Sequence, residues 1–259
     1  MTELRSIYNY SDDNGNVIEC AQPLDKDVHI IFRGKNNRLV LKDGAKPSPI
    51  TIMFDCDHGY CELGKTAYKG QIRVGHHCQV IIGDGVTCTF SCYISTAEYT
   101  SVIVGDDCMI ASGNEIRTDD AHPIFSIKTG ERINMPKSIR LGRHVWLGAR
   151  AAVLGGSEIG DGSVIGYASI VKGVFPNNCV IAGTPAKVVR KDIAWERPHL
   201  NLTKPYFKPD ASTITKSNFW NETIDPPLID LSRGVKVESK PHSAPLLTRL
   251  FQRLQASLK

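Results

Sequence analysis

The sequence contains no run of about 18 consecutive apolar residues, so no stretch of it reads as a membrane-spanning helix. Its start, Met1-Thr-Glu-Leu-Arg5, lacks the basic and apolar regions of a secretory signal, which makes a cytoplasmic location the expectation. No C-x-x-C pair occurs among Cys20, Cys56, Cys61, Cys78, Cys88, Cys92, Cys108 and Cys179. In a reducing compartment these read as small buried hydrophobes, not as a disulfide or zinc framework. On that expectation the N-x-T triplets at Asn201 and Asn221 carry no glycosylation signal. A G-x-S-x-G elbow is also missing, so nothing calls for a covalent serine intermediate. The net charge of +4 permits an anionic partner without demanding one, and no nucleic-acid partner is expected.

What the chain does have is a period of six. Leu141, Leu147, Val153, Ile159, Ile165 and Val171 are aliphatic at every sixth position. One residue later come Gly142, Gly148, Leu154, Gly160 and Gly166; four residues later come Val145, Ala151, Ser157, Ser163 and Ser169. A helix has a period of 3.6 and a plain strand a period of 2, so neither fits. Three registers in phase are the hexapeptide signature of a parallel β-helix, in which the aliphatic points inward, the small residue fits near the corner and glycine relieves the bend. The 41% apolar share is ample for such a core.

In chain order, residues 1–27 read as an N-terminal cap. From Val28 strand-like alternation begins, and the repeat tightens through Ile72, Val80, Val104, Ile110 and Ile116, with Cys108 and Asn114 at the small corner position. The repeat breaks between Arg117 and Ser138 and resumes at Ile139. A solenoid tolerates such an excursion, and loops this long are usually functional. The β-helix domain is therefore expected over 28–190, with loop 117–138. Residues 191–259 read as an arm rich in proline and aromatics. It ends in an amphipathic helix over 244–258, with Leu246, Leu247, Leu250, Phe251, Leu254 and Leu258 on one stripe. That helix could pack on protein or rest on a membrane surface.

The hexapeptide block, Asp119-Asp-Ala-His122-Pro123, His144-Val-Trp146-Leu-Gly148 and Val180-Ile-Ala-Gly-Thr-Pro-Ala-Lys187 resemble the left-handed parallel β-helix acyltransferases over about residues 70–190. Glu115-Ile-Arg117, Gly130-Glu-Arg-Ile-Asn134 and Gly34-Lys-Asn-Asn37 further resemble the capsule sialic acid O-acetyltransferases of bacteria. The resemblance supplies the left-handed coil, since crossover statistics favour the right hand. It implies a homotrimer with active sites between subunits, acetyl-CoA as co-substrate, and transfer to a hydroxyl of a capsular or other surface polysaccharide.

His122 is the candidate general base, since an unperturbed imidazole titrates near 6.5. Asp119 or Asp120 could set its tautomer. On the resemblance, Trp146 or a backbone N–H beside it donates to the oxyanion or the acceptor. Gly148, Ala149, Gly166 and Ala168 would let the pantetheine arm lie close. Lys172, Lys187 and Arg190 could meet the coenzyme's phosphates, and the resemblance implies that Thr184 and Pro185 flank its adenine. Asn114, Arg117, Lys128 and Arg132 are candidates for holding the acceptor. The alternatives are transfer to a small sugar, nucleotide sugar or drug, and a non-catalytic scaffold. No metal is expected: a zinc β-helix needs three converging histidines, whereas His76 and His77 are adjacent and His58 and His122 lie in other segments.

Overall fold

Strands that follow one another in the chain do not pair within the stack; each pairs with the strand one turn later. Thus Cys92–Ser95 lies parallel between Gly70–Val74 and Glu115–Arg117. The computed structural model describes residues 1–198 and 214–225. Among them there is no helix, and the strands form three sheets of eight, six and nine strands wrapped into a left-handed parallel β-helix of about seven turns. The amphipathic helix expected over 244–258 lies outside the described residues.

One inward column shows how the core forms. Ile30, Ile52, Ile72, Ile94, Ile116, Val153 and Val171 stand in register on consecutive turns of the eight-stranded sheet, all fully buried. Each such burial is worth about 1.5–3 kcal/mol before chain entropy is counted. The stack begins earlier than expected. Val17–Cys20 is already parallel to Arg38–Leu41, ahead of Val28, and the fully buried Ile7 bridges Leu24. Antiparallel strands, Thr2–Leu4, Tyr10–Ser11 and Ala186–Arg190, cover the outermost rungs. They occupy edges that would otherwise present unpaired backbone.

The repeating glycines do a different job from the one expected. Gly142, Gly148, Gly160 and Gly166 have no left-handed φ. A Cβ on Gly148 would sit 2.6 Å from the Ile165 carbonyl oxygen, so it is the next coil's backbone that excludes a side chain. The left-handed bend comes two residues later, at His144, Arg150, Gly156, Gly162 and Ala168 (φ 53°, 60°, 89°, 69° and 51°). The small residue after it is buried at each turn, and the Ser157 and Ser163 hydroxyls donate to the carbonyls of Leu154 and Pro176.

Of the eight cysteines, Cys61, Cys78, Cys88, Cys92, Cys108 and Cys179 are buried and all eight are free thiols. Cys56 departs from the expectation and is exposed, and Cys20 is half-buried.

Candidate active site

Residues 117–138 leave the solenoid after Glu115–Arg117 and return at Ile139–Leu141, at the corner between the eight- and nine-stranded sheets. Thr118 closes the neck. Its carbonyl accepts from Lys137 N (3.0 Å), and its hydroxyl oxygen accepts from Ala97 N (3.1 Å) and lies 2.8 Å from Thr100 Oγ1. Beyond the neck the segment is a two-limbed finger with structure of its own. Phe125 bridges Arg132, Ile133 N donates to Ile124 O, and Gly130 N donates to Ser126 O at the tip. Its surface carries apolar side chains: Ile124, Phe125, Ile127, Ile133 and Met135 are all exposed.

His122 stands at the base of this finger with its ring exposed. Neither nearby carboxylate hydrogen-bonds that ring, which corrects the expectation for Asp119 and Asp120. Asp119 Oδ2 accepts from Ala121 N at 2.9 Å and Asp120 Oδ2 from Asn134 Nδ2 at 3.0 Å, so both serve the loop backbone and its clamp. Asn134 also donates to the His122 carbonyl (2.9 Å) and accepts from Ile124 N (2.7 Å). The period of six gives Asn134 no role; its signal is an Asx residue placed where a strand must turn.

The four residues assigned to the acceptor are scattered. Asn114 is buried, donating to Ala111 O and accepting from Ala151 N, so it is a corner residue out of a ligand's reach. Arg132 is held by Glu98, with Nη1 at 2.7 and 2.9 Å from the carboxylate oxygens. Arg117 lies 6.0 Å from the Tyr93 ring centroid with a buried, unpartnered Nε, and Lys128 is exposed near the finger tip.

Trp146, 37% exposed, sits on the six-stranded sheet between Met109 and Val164. The nine-stranded sheet separates it from the finger's corner, so one chain does not bring Trp146 and His122 to one place. The coenzyme candidates divide likewise. Gly148, Ala149, Gly166 and Ala168 follow strands of the six-stranded sheet at one corner, where Ala168 N donates to Ala149 O. The turn carrying Thr184 and Pro185 joins Val180–Gly183 to Ala186–Arg190 in that same sheet, with Lys187 paired to Ala182. Lys172 lies instead at the finger's corner, between Ile170–Val171 and Val174–Phe175. Arg190 is at the far end of its strand, opposite Val180.

A buried histidine, His144, organises a second group of contacts. His144 Nδ1 is 2.6 Å from Asp107 Oδ2 and its Nε2 is 3.0 Å from Trp195 O. Trp195 stacks on one face of the imidazole at 4.0 Å, and Phe219 lies parallel to the ring at 4.6 Å. Arg197 continues the strap, donating to Asp107 Oδ1, Thr87 Oγ1 and the Cys108 carbonyl. Residues 191–198 thus run down the outside of the corner that precedes Trp146, and the Trp195 ring comes within 5.9 Å of the Trp146 ring. Sequence periodicity contains no sign of these contacts, which join residues 37 to 110 positions apart.

No family model matches the chain. It is 37% identical over 190 residues to a polysialic acid O-acetyltransferase of Escherichia coli O1:K1, a match over 72% of this chain and 62% of that protein. The chain therefore spans less than two thirds of that curated relative. Among solved structures, it is similar to the polySia-specific acetyltransferase NeuO (35% identity, TM-score 0.66, 73% of this chain and 82% of that one). It is also similar to the polysialic acid O-acetyltransferase OatWY (28% identity, TM-score 0.60, 74% and 92%).

Proposed function

Since the chain belongs to the hexapeptide-repeat O-acetyltransferases related to the polysialic acid enzymes, we propose that it moves an acetyl group from acetyl-CoA to a hydroxyl of a bacterial capsular or other surface polysaccharide. The observation that carries the reading is the clamped finger: an exposed imidazole without a hydrogen-bond partner among the described residues, held by its main chain at the rim of a rigid solenoid. In the proposed step an unprotonated His122 nitrogen takes the acceptor's hydroxyl proton as that oxygen attacks the thioester carbonyl. The tetrahedral adduct then collapses, the C–S bond breaks, and the imidazolium returns the proton to the departing thiolate. A donor N–H at Trp146 would stabilise the adduct's oxyanion.

The separation of His122 and Trp146 within one chain supports a site completed by a second copy. The exposed apolar side chains of the finger give such a copy a surface to cover, and a trimer is the assembly we propose. The corner row from Gly148 to Ala168, with Thr184, Pro185 and Lys187, is the proposed bed for coenzyme A. The setting we propose is the cytoplasm, where acetyl-CoA is available. Thiol release from acetyl-CoA, assayed against polysialic acid, neutral polysaccharides and free sugars, tests the reading. Release that requires a polymer supports it; release with free sugars alone, or with no acceptor at all, contradicts it.

A further inference from the structure

Below the finger, the corner between the eight- and nine-stranded sheets carries a column of exposed rings. His58 and His77 stack at 4.5 Å with planes 20° apart, and His77 and Tyr99 at 5.0 Å and 12°. His76 packs edge-on against His77 at 4.4 Å and against Tyr99 at 5.4 Å. These separations follow the strand spacing of about 4.8 Å, so each turn of the solenoid supplies one rung. His58, His77 and Tyr99 all have left-handed φ (60°, 51° and 64°), as does Asn36 on the preceding turn (55°). Ala121, the residue before His122, has the same left-handed conformation (φ 65°) where the chain leaves the solenoid. Arg132 of the finger binds Glu98, next to Tyr99. The column therefore runs into the base of the finger.

Two ordinary explanations do not account for it. The outer rings are exposed, so core packing does not require them. They also stack in parallel instead of converging, and among the described residues no group of three metal-binding side chains comes together.

We propose that the His58–His77–Tyr99 column is an extended acceptor subsite, a track on which a carboxylate-bearing polysaccharide lies with one residue delivered to His122. This rests on the acetyltransferase reading above. The faces are taken up by the stack, so a polymer lying along the column meets the ring edges, whose imidazole nitrogens and Tyr99 hydroxyl can hydrogen-bond sugar hydroxyls and carboxylates, and a repeating column suits a repeating polymer. The carboxylates at this corner are engaged: Asp57 accepts from Lys35 N at 2.7 Å, Asp55 pairs with Arg33 and Arg73, and Glu98 pairs with Arg132. A proton on His77 offsets the charge of Asp57, whose partner is a backbone amide. Partial burial, then the nearby His58 and His76, holds His77 below the usual imidazole range, and Asp57 opposes them. A bound polyanion would draw a proton onto His77, so its affinity rises as pH falls below that range.

The test is calorimetric titration of the full chain with long polysialic acid and with a short sialic acid oligomer, at about pH 6 and about pH 7.5. It compares wild type with the triple variant His58→Asn, His77→Asn, Tyr99→Asn. Asparagine tolerates the left-handed conformation, so the corner is preserved. The expected result is a Kd for the long polymer raised about tenfold in the variant and, in the wild type, lower at the lower pH, with the oligomer's Kd unchanged by the substitutions. Equal long-polymer affinity in the two proteins, or none in the wild type, overturns the track. Thiol release measured on the same samples separates the two claims. Acetyl transfer with ring-independent binding leaves the enzyme and removes the track. Ring-dependent binding without acetyl transfer leaves the track and removes the enzyme.

Discussion

The Asn134 side-chain nitrogen lies 2.9 Å from the main-chain oxygen of His122, across the two limbs of the finger. The same amide bonds Asp120 and Ile124, so a single side chain fixes the backbone from which the imidazole projects. Asn134→Ala is expected to lower kcat about ten- to a hundredfold, the cost of misplacing a base by about an ångström, while leaving KM for acetyl-CoA unchanged. Steady-state kinetics on the variant checks this; an unaltered kcat would mean that the finger's geometry does not matter.

The arm is expected to hold the solenoid's corner tightly. Trp195 is buried against His144, and its Nε1 donates to the His144 carbonyl at 3.0 Å. Trp195→Ala should cost about 3–5 kcal/mol in a urea titration and expose residues 191–198 to proteolysis. A loss under about 1 kcal/mol would show that the strap contributes little.

Acid should loosen the second limb of that arm. Burial pushes the Glu196 carboxyl up, but hydrogen bonds from Ser217 N and Trp220 Nε1, each 2.7 Å, outweigh it and hold the group below its usual value. A carboxylate depressed in the folded state stabilises above its unfolded pKa, about 4.3, and that contribution is lost as pH falls further. Amide exchange at Ser217 should therefore accelerate, beyond its intrinsic pH dependence, below about pH 4.3. Glu196→Gln should abolish the excess, and a variant that kept it would contradict the assignment.

Thiol labelling of the native protein is expected to modify Cys56 readily and Cys20 more slowly. Burial pushes Cys92 and Cys108 up to about 12, so both are protonated as well as enclosed. Mass spectrometry after brief labelling counts the adducts; rapid modification of Cys92 or Cys108 would mean that the solenoid opens.

The solenoid was legible because its inward aliphatics obey a period no other element has, and Leu141 to Val171 display it without a break. What the glycines do was not. The period marks Gly148 but not that Ile165 O lies where its side chain would be, a relation between turns that appears only once they stack. The left-handed column was hidden for a related reason: His144, Arg150 and Ala168 share a conformation and no chemistry. His122 stood out by residue type and its place in the interruption, yet Asp119 bonds the finger's backbone and Asp120 the Asn134 side chain instead of the ring. The link from Arg197 to Thr87 spans 110 positions, and nothing local encodes it.

The central claim is that His122 is the base for acetyl transfer. Its most direct test is kcat for His122→Ala with acetyl-CoA and polysialic acid, on protein whose thermal unfolding matches wild type. The account predicts a fall of at least about a hundredfold, the low end for a general base. A variant that turns over at the wild-type rate would contradict it.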